Sequence, residues 1–186
     1  NLPMERDAFV GRREELEAMR RVFGLSGAPM EARLLSLLGA GGTGKSRLSV
    51  HFAWESRQDF TGGSWFVDLS EARTLEGIAG ATARALNLSL GSQDPIAQLA
   101  GELDALGDCL IIFDNFEQVA MHAEATLGVW LTSGQVITGL RPIIEQVQAS
   151  DRPAFICEIA DLMWSEMVVA LRHTADPGAR PVSRRR

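Results

Sequence analysis

One stretch, Gly39-Ala40-Gly41-Gly42-Thr43-Gly44-Lys45-Ser46, constrains this chain more than any other. So many glycines cannot prolong a helix or a strand, and they allow backbone conformations closed to other residues. The apolar run Leu34-Leu35-Ser36-Leu37-Leu38 precedes it and suits a buried strand. From Lys45 to about Arg57 the spacing of Leu48, Phe52 and Trp54 predicts a helix with these residues inward. A strand, a tight glycine turn and a helix are therefore expected in immediate succession.

The rest of the chain repeats that alternation. A helix carrying Leu16, Met19, Val22 and Phe23 is expected ahead of the linker Gly24 to Pro29. Ser64 to Leu69 reads as a second strand, followed by helices over Leu75 to Leu86 and Asp94 to Leu106, the latter with Pro95 in its first turn. Cys109-Leu110-Ile111-Ile112-Phe113 reads as a third buried strand ending at Asp114, with a helix from about Glu117 to Leu131. Alternating strands and helices predict an α/β fold with a parallel sheet flanked by helices and ligand sites at the carboxyl ends of its strands.

Beyond Leu131 the pattern weakens: Val136, Ile137, Ile143, Ile144 and Val147 fit a strand and a helix, and Phe155 to Leu171 reads as helical, with Met163, Trp164 and Met167 on one face. The expected organisation is a docking segment over 1–30, a core over 31–131, a mixed or helical extension over 132–175 and a disordered tail over 176–186. The core is thus expected to be incomplete, with an irregular C-terminal part.

Composition narrows the function classes. The net charge of −6, and a stretch from Ala85 to Leu140 without Lys or Arg, argue against direct nucleic-acid binding. No apolar run is long enough to span a bilayer and no signal segment is seen, so a cytoplasmic protein without membrane contact is expected; the start at Asn1 reads as that of a fragment. Cys109 and Cys157 lack metal-site spacing and read as buried thiols, and His51, His122 and His173 as structural. Lys45 is the only lysine in the chain, all other basic residues being arginine. A compact, flexible ammonium is expected to matter at that position.

The glycine string satisfies GxxxxGK[ST], the Walker A or P-loop pattern, in the strand-to-helix context it requires. In such a loop backbone N–H groups converge on phosphate oxygens, and the following helix turns its positive end to the same anion. The expected nucleotide contacts are Gly39, Ala40, Gly41, Gly42, Thr43, Gly44, Lys45, Ser46 and Arg47. Among these, Lys45 would neutralise the β- and γ-phosphates, Ser46 would ligate Mg²⁺ and Thr43 would shape the loop. Asp114, closing an apolar strand, fits the Walker B position and would reach the metal through water.

Three pieces resemble one family: Phe9-Val10-Gly11-Arg12 with Glu14, the loop GAGGTGKS, and Ile111-Ile112-Phe113-Asp114-Asn115-Phe116-Glu117-Gln118-Val119. Together they are similar to the STAND class of P-loop signalling ATPases, in particular the NB-ARC-like nucleotide-binding domains of large bacterial regulators, over about residues 9–131. The resemblance implies ATP or ADP with Mg²⁺ as cofactors, adenine as the base, and other domains or subunits of a signalling protein as partners. It also implies nucleotide contacts from Val10, Gly11 and Arg12.

Several departures shape the expected activity. The family's sensor strand ends in Thr-Ser-Arg, whereas Thr132-Ser133 is followed here by Gly134, and neither the helical lid nor the winged helix is recognisable. Asn115 stands where fast ATPases carry a glutamate and cannot take a proton as a carboxylate can; Glu117 is a candidate substitute, and Arg141 or Arg152 candidate sources of positive charge. These features predict a nucleotide-dependent switch with slow or absent hydrolysis. Two alternatives stay open: a catalytic P-loop ATPase or kinase, and a truncated nucleotide-binding module without switching.

Overall fold

The computed structural model describes residues 1–132 apart from positions 6, 28, 31 and 92, and the strand at 166–171. The elements run α1 (Arg13–Val22), β1 (Leu34–Leu37), α2 (Lys45–Glu55), β2 (Gly63–Asp68), α3 (Leu75–Ala85), α4 (Pro95–Leu106), β3 (Cys109–Asp114), a 3₁₀ helix (Phe116–His122), a π-helical turn (Glu124–Gly128), α5 (Val129–Thr132) and β4 (Glu166–Leu171). The chain is α/β, as its alternating pattern predicts. Among the described residues no helix is long and apolar enough to cross a membrane.

Strand β3 explains the layering. Its alternate residues Cys109, Ile111 and Phe113 enter one apolar core with α3, α4 and α5, while Leu110 and Ile112 enter a second with α1 and α2. A strand buried on both faces must read as a continuous apolar run, and this one does. The first core includes Val67, Ile78, Leu99, Leu103, Phe116 and Trp130; the second includes Met19, Phe23, Leu48, Phe52 and Phe60. Local signals fix the helix starts. Thr74 caps α3 by accepting from the Gly77 N–H, and Asp94 caps α4 by accepting from Ile96 and Ala97 ahead of Pro95 in its first turn.

The sheet corrects the all-parallel expectation. Its order is β1-β4-β3-β2; β2 and β3 are parallel, but β4 runs antiparallel to both β1 and β3. The helix expected over Phe155 to Leu171 is likewise overturned at its end, where 166–171 is a strand and Met167 pairs in register with Ser36 and Phe113. A short apolar run containing Val168 and Val169 satisfies helix and strand periodicity alike, and the gap between β1 and β3 offers ladder partners on both sides.

The single helix expected over Glu117 to Leu131 is instead three different turns. Phe116 and Val119, three apart, are both buried by 3₁₀ geometry, and the wide turn closed by Gly128 N–H to the Ala123 carbonyl at 3.0 Å rephases the chain so that Leu127, Trp130 and Leu131 are buried too. Expectations for Ser133, Gly134, Val136 to Val147, Arg141, Arg152, Cys157, Met163, Trp164, His173 and the tail 176–186 lie outside the described residues.

Candidate functional site

Strand β1 ends at Leu37 and α2 begins at Lys45, so the glycine loop bridges a strand end and a helix start. Gly42 and Gly44 hold φ of 78° and 82°, conformations that strain any residue with a Cβ, and a Cβ built on Gly41, Gly42 or Gly44 would meet nothing within 4 Å. These glycines therefore serve backbone shape and leave the space over the loop open. Lys45 Nζ donates to the carbonyls of Gly39 at 2.8 Å and Ala40 at 3.1 Å. The Thr43 hydroxyl donates to the Ala40 carbonyl at 2.8 Å, a bond internal to the loop.

Opposite the loop stand the carboxyl ends of β2 and β3. Their register pairs Asp68 with Asp114, and the ladder continues past the strand ends through Leu69 N–H to the Asp114 carbonyl at 3.0 Å. The Ser46 hydroxyl donates to Asp114 Oδ1 at 3.2 Å, and the Asn115 backbone N–H donates to the same oxygen at 3.1 Å. Burial, the strongest influence on Asp114, raises its carboxyl above the ordinary value; Asp68 adds to the rise, while the bonds from Ser46 and Asn115 and the charge of Lys45 oppose it. Asn115 itself sits in the left-handed region at φ 60°, and its Nδ2 donates to Asp68 Oδ1 at 3.2 Å. That Asp68 oxygen also accepts from the Ser70 N–H at 2.8 Å, the bond that contributes most to holding its carboxyl below the ordinary range.

Ser46, Asp114, Asn115 and Asp68 thus form one hydrogen-bonded chain. Glu117 stands in the first turn of the 3₁₀ helix that follows Asn115. Asp68 was not among the residues the sequence marked. The available signal was weaker than the one at Asp114: an aspartate inside the predicted strand Ser64 to Leu69, one residue before its end, whereas the observed strand stops at Asp68.

The N-terminal segment reaches the site from the other side. Gly11 and Arg12 are both left-handed, at φ 84° and 57°, and this bend brings Arg12 against the glycine loop, where its guanidinium donates to the Thr43 carbonyl at 2.7 Å. Val10 beside them is 87% exposed. Arg47 is engaged elsewhere: it donates to the carbonyls of Asp7 and Ala8 at 3.0 and 2.8 Å and lies over the Phe9 ring. One and two turns further along α2, His51 pairs through Nδ1 with Glu5 at 2.7 Å and Trp54 donates to the Pro3 carbonyl at 2.8 Å. The Asn1 side chain then pairs with both backbone groups of Phe66 on β2, at 2.9 and 3.0 Å. His51 also stacks on Phe9 at 4.0 Å and faces Glu55 with Nε2, so it has a structural role with partners the sequence did not reveal.

A cleft of about 440 Å³ opens between α1, β1 and the glycine loop, with Met19, Val22, Leu37 and Leu48 among its apolar lining and Arg12, Thr43 and Lys45 among its polar lining. Cys109 is a buried thiol, pushed up to about 12 chiefly by desolvation, and has no part in the site.

The donor set fits a hard divalent cation bound together with an anionic ligand. Ser46 and Asp114 offer hard oxygens side by side, and Asp114 is a partly desolvated carboxylate whose ionised form a cation would favour. Among the described residues no three His, Cys, Asp or Glu side chains cluster into a metal cage. Magnesium held through one carboxylate and ligand oxygens needs none.

No family model matches the chain, and no solved structure matches it. It is similar to uncharacterized proteins of Mycobacterium tuberculosis and Mycobacterium bovis, 27% identical over 142 residues, covering 75% of this chain and 34% of each relative. The chain thus spans about a third of the length of the curated relatives it matches.

Proposed function

We propose that this chain is the Mg²⁺-ATP/ADP-binding domain of a signalling or transcription-regulatory switch protein of the STAND class, built on a P-loop NTPase fold and located in the cytoplasm. The observation that carries the reading is the 3.2 Å pairing of the Ser46 hydroxyl with Asp114 beside an open glycine loop. Magnesium would be held by Ser46 and, through water, by Asp114; when bound it would draw the phosphate charge into the site. Lys45 would exchange its two loop carbonyls for phosphate oxygens, and the N–H groups of the loop and the start of α2 would complete the cradle. The apolar cleft beside the loop offers room for the base, with Arg12 at its side.

Slow hydrolysis is favoured over rapid turnover by Asn115. Its amide is held on Asp68, and it lacks the carboxylate that would accept a proton from attacking water. A switch requires only that the two nucleotides favour different arrangements by a few kcal/mol. Neighbouring domains or subunits would read the difference.

Calorimetric titration of ATP and ADP, with Mg²⁺ and with EDTA, tests the reading on stripped protein and its Lys45→Ala variant. Charge-assisted bonds contribute about 1.5–3 kcal/mol, so affinity should fall by about ten- to a hundredfold or more in the variant. Folded wild-type protein that binds neither nucleotide would sink the proposal, and turnover of many ATP per second would replace the switch with a catalytic ATPase.

A further inference from the structure

Asp114 can serve a metal only if its carboxylate is kept in one pose, and the hydrogen-bonded chain identifies what keeps it there. Two donors, the Ser46 hydroxyl and the Asn115 N–H, converge on Oδ1, leaving Oδ2 with its lone pairs available. The second donor depends on an unfavourable backbone. At φ 60° a residue with a Cβ costs about 1–2 kcal/mol, and Asn is among the few that tolerate it. A strained conformer persists where its surroundings hold it. The side-chain amide of Asn115 is anchored on Asp68, which is fixed in turn by the Ser70 N–H and by its place opposite Asp114 at the end of the β2–β3 ladder.

We propose that Asp68 is a positioning residue for the magnesium-linked carboxylate: by anchoring the Asn115 amide it keeps the Asn115 N–H, and through it Asp114, in the pose that accepts a hydrated divalent cation. This inference rests on the nucleotide reading above. Asp68 touches neither metal nor nucleotide in this scheme; it acts through Asn115. The acceptor oxygen matters here, so an amide oxygen at the same place should substitute for the carboxylate.

The experiment compares the magnesium enhancement of ADP affinity, meaning the ratio of Kd in EDTA to Kd in Mg²⁺, in wild-type protein, Asp68→Ala, Asp68→Asn and Asn115→Ala. Loss of an outer partner of a metal ligand reduces metal affinity by about ten- to a hundredfold. Because Asp68 acts through Asn115 on a carboxylate that itself reaches the metal through water, its effect falls at or below the low end of that range: Asp68→Ala should cut the enhancement by about three- to tenfold while leaving affinity in EDTA within about twofold. Asn115→Ala should behave alike, the double variant should be no worse than either single one, and Asp68→Asn should retain most of the enhancement. An unchanged enhancement in Asp68→Ala would overturn the inference, as would equal losses with and without Mg²⁺, which mark a merely structural role. If Asp68→Ala does not fold, Asn115→Ala and Asp68→Asn decide by the same ratio. Wild-type protein that binds no ADP would sink the nucleotide reading itself; wild-type protein that binds ADP without magnesium enhancement would sink this inference and the magnesium part of that reading, leaving nucleotide binding in place.

Discussion

The two sides of the candidate site are held in different ways. The glycine loop is held by polar contacts that it largely makes to itself: Lys45 and Thr43 bond its own carbonyls, and one guanidinium, that of Arg12, reaches it from outside. The carboxylate side grows directly out of the core, because Asp114 follows Phe113, which is fully buried against Phe116 and Trp130, with its ring centroid 6.0 Å from each of theirs. One side can reshape around a ligand while the other keeps its geometry. A loop whose polar contacts are local can trade them for phosphate oxygens at little cost to the fold, whereas a carboxylate at the end of a buried strand moves only if the strand does.

The sharpest way to break this contrast is to remove packing behind the carboxylate. Phe113→Ala should destabilise the protein by about 3–5 kcal/mol in denaturant unfolding, the cost of deleting a buried phenyl ring. A loss under about 1 kcal/mol would mean that the edge is no better anchored than the loop. On the loop side, Gly44→Ala isolates backbone strain, since nothing lies within 4 Å of the new Cβ while φ is 82°. It should cost about 1–2 kcal/mol by the same measurement. No cost would show that the loop adopts another shape in solution.

The smallest effect concerns charge. Burial raises the folded-state carboxyl of Asp114 above its unfolded value, so the folded protein binds that proton more tightly than the unfolded chain does. Ionisation of Asp114 therefore opposes folding at neutral pH, and the opposition fades as pH falls through the folded value towards the unfolded one. Asp114→Asn should slightly raise the thermal midpoint of nucleotide-free protein at pH 7, with the gain closing as the pH is lowered. A variant less stable at pH 7, or a gain that grows in acid, would contradict the assignment.

What the sequence disclosed follows the same division. The glycine loop was legible because its glycines, Lys45 and Ser46 lie within one short string, and Asp114 because the strand leading to it is apolar on both faces. Asp68 was not marked, since its bearing on Asp114 follows from a register between strands separated by two helices, and no local spacing encodes that. Strand β4 is illegible for a related reason: its partners lie more than a hundred residues back for β1 and about fifty to sixty for β3, and a short apolar run carries no sign of which ladder it will join. The uneven helix after Asn115 shows tertiary packing overriding period, with burial of Phe116, Val119, Leu127 and Trp130 deciding the turns.

The way Pro3, Glu5, Asp7 and Ala8 lie along α2 has a mechanical consequence. Asn1, Pro3, Glu5 and Asp7 with Ala8 meet Phe66, Trp54, His51 and Arg47 in turn, before Arg12 meets Thr43, so the segment runs antiparallel to the helix with successive attachments spaced along it. A tension applied at Asn1 along the helix axis would shear these attachments together, whereas the same tension across the axis loads them one after another, in the geometry of peeling tape. Such an arrangement yields at low force over a long travel, and the glycine loop would feel the pull only at the last rung.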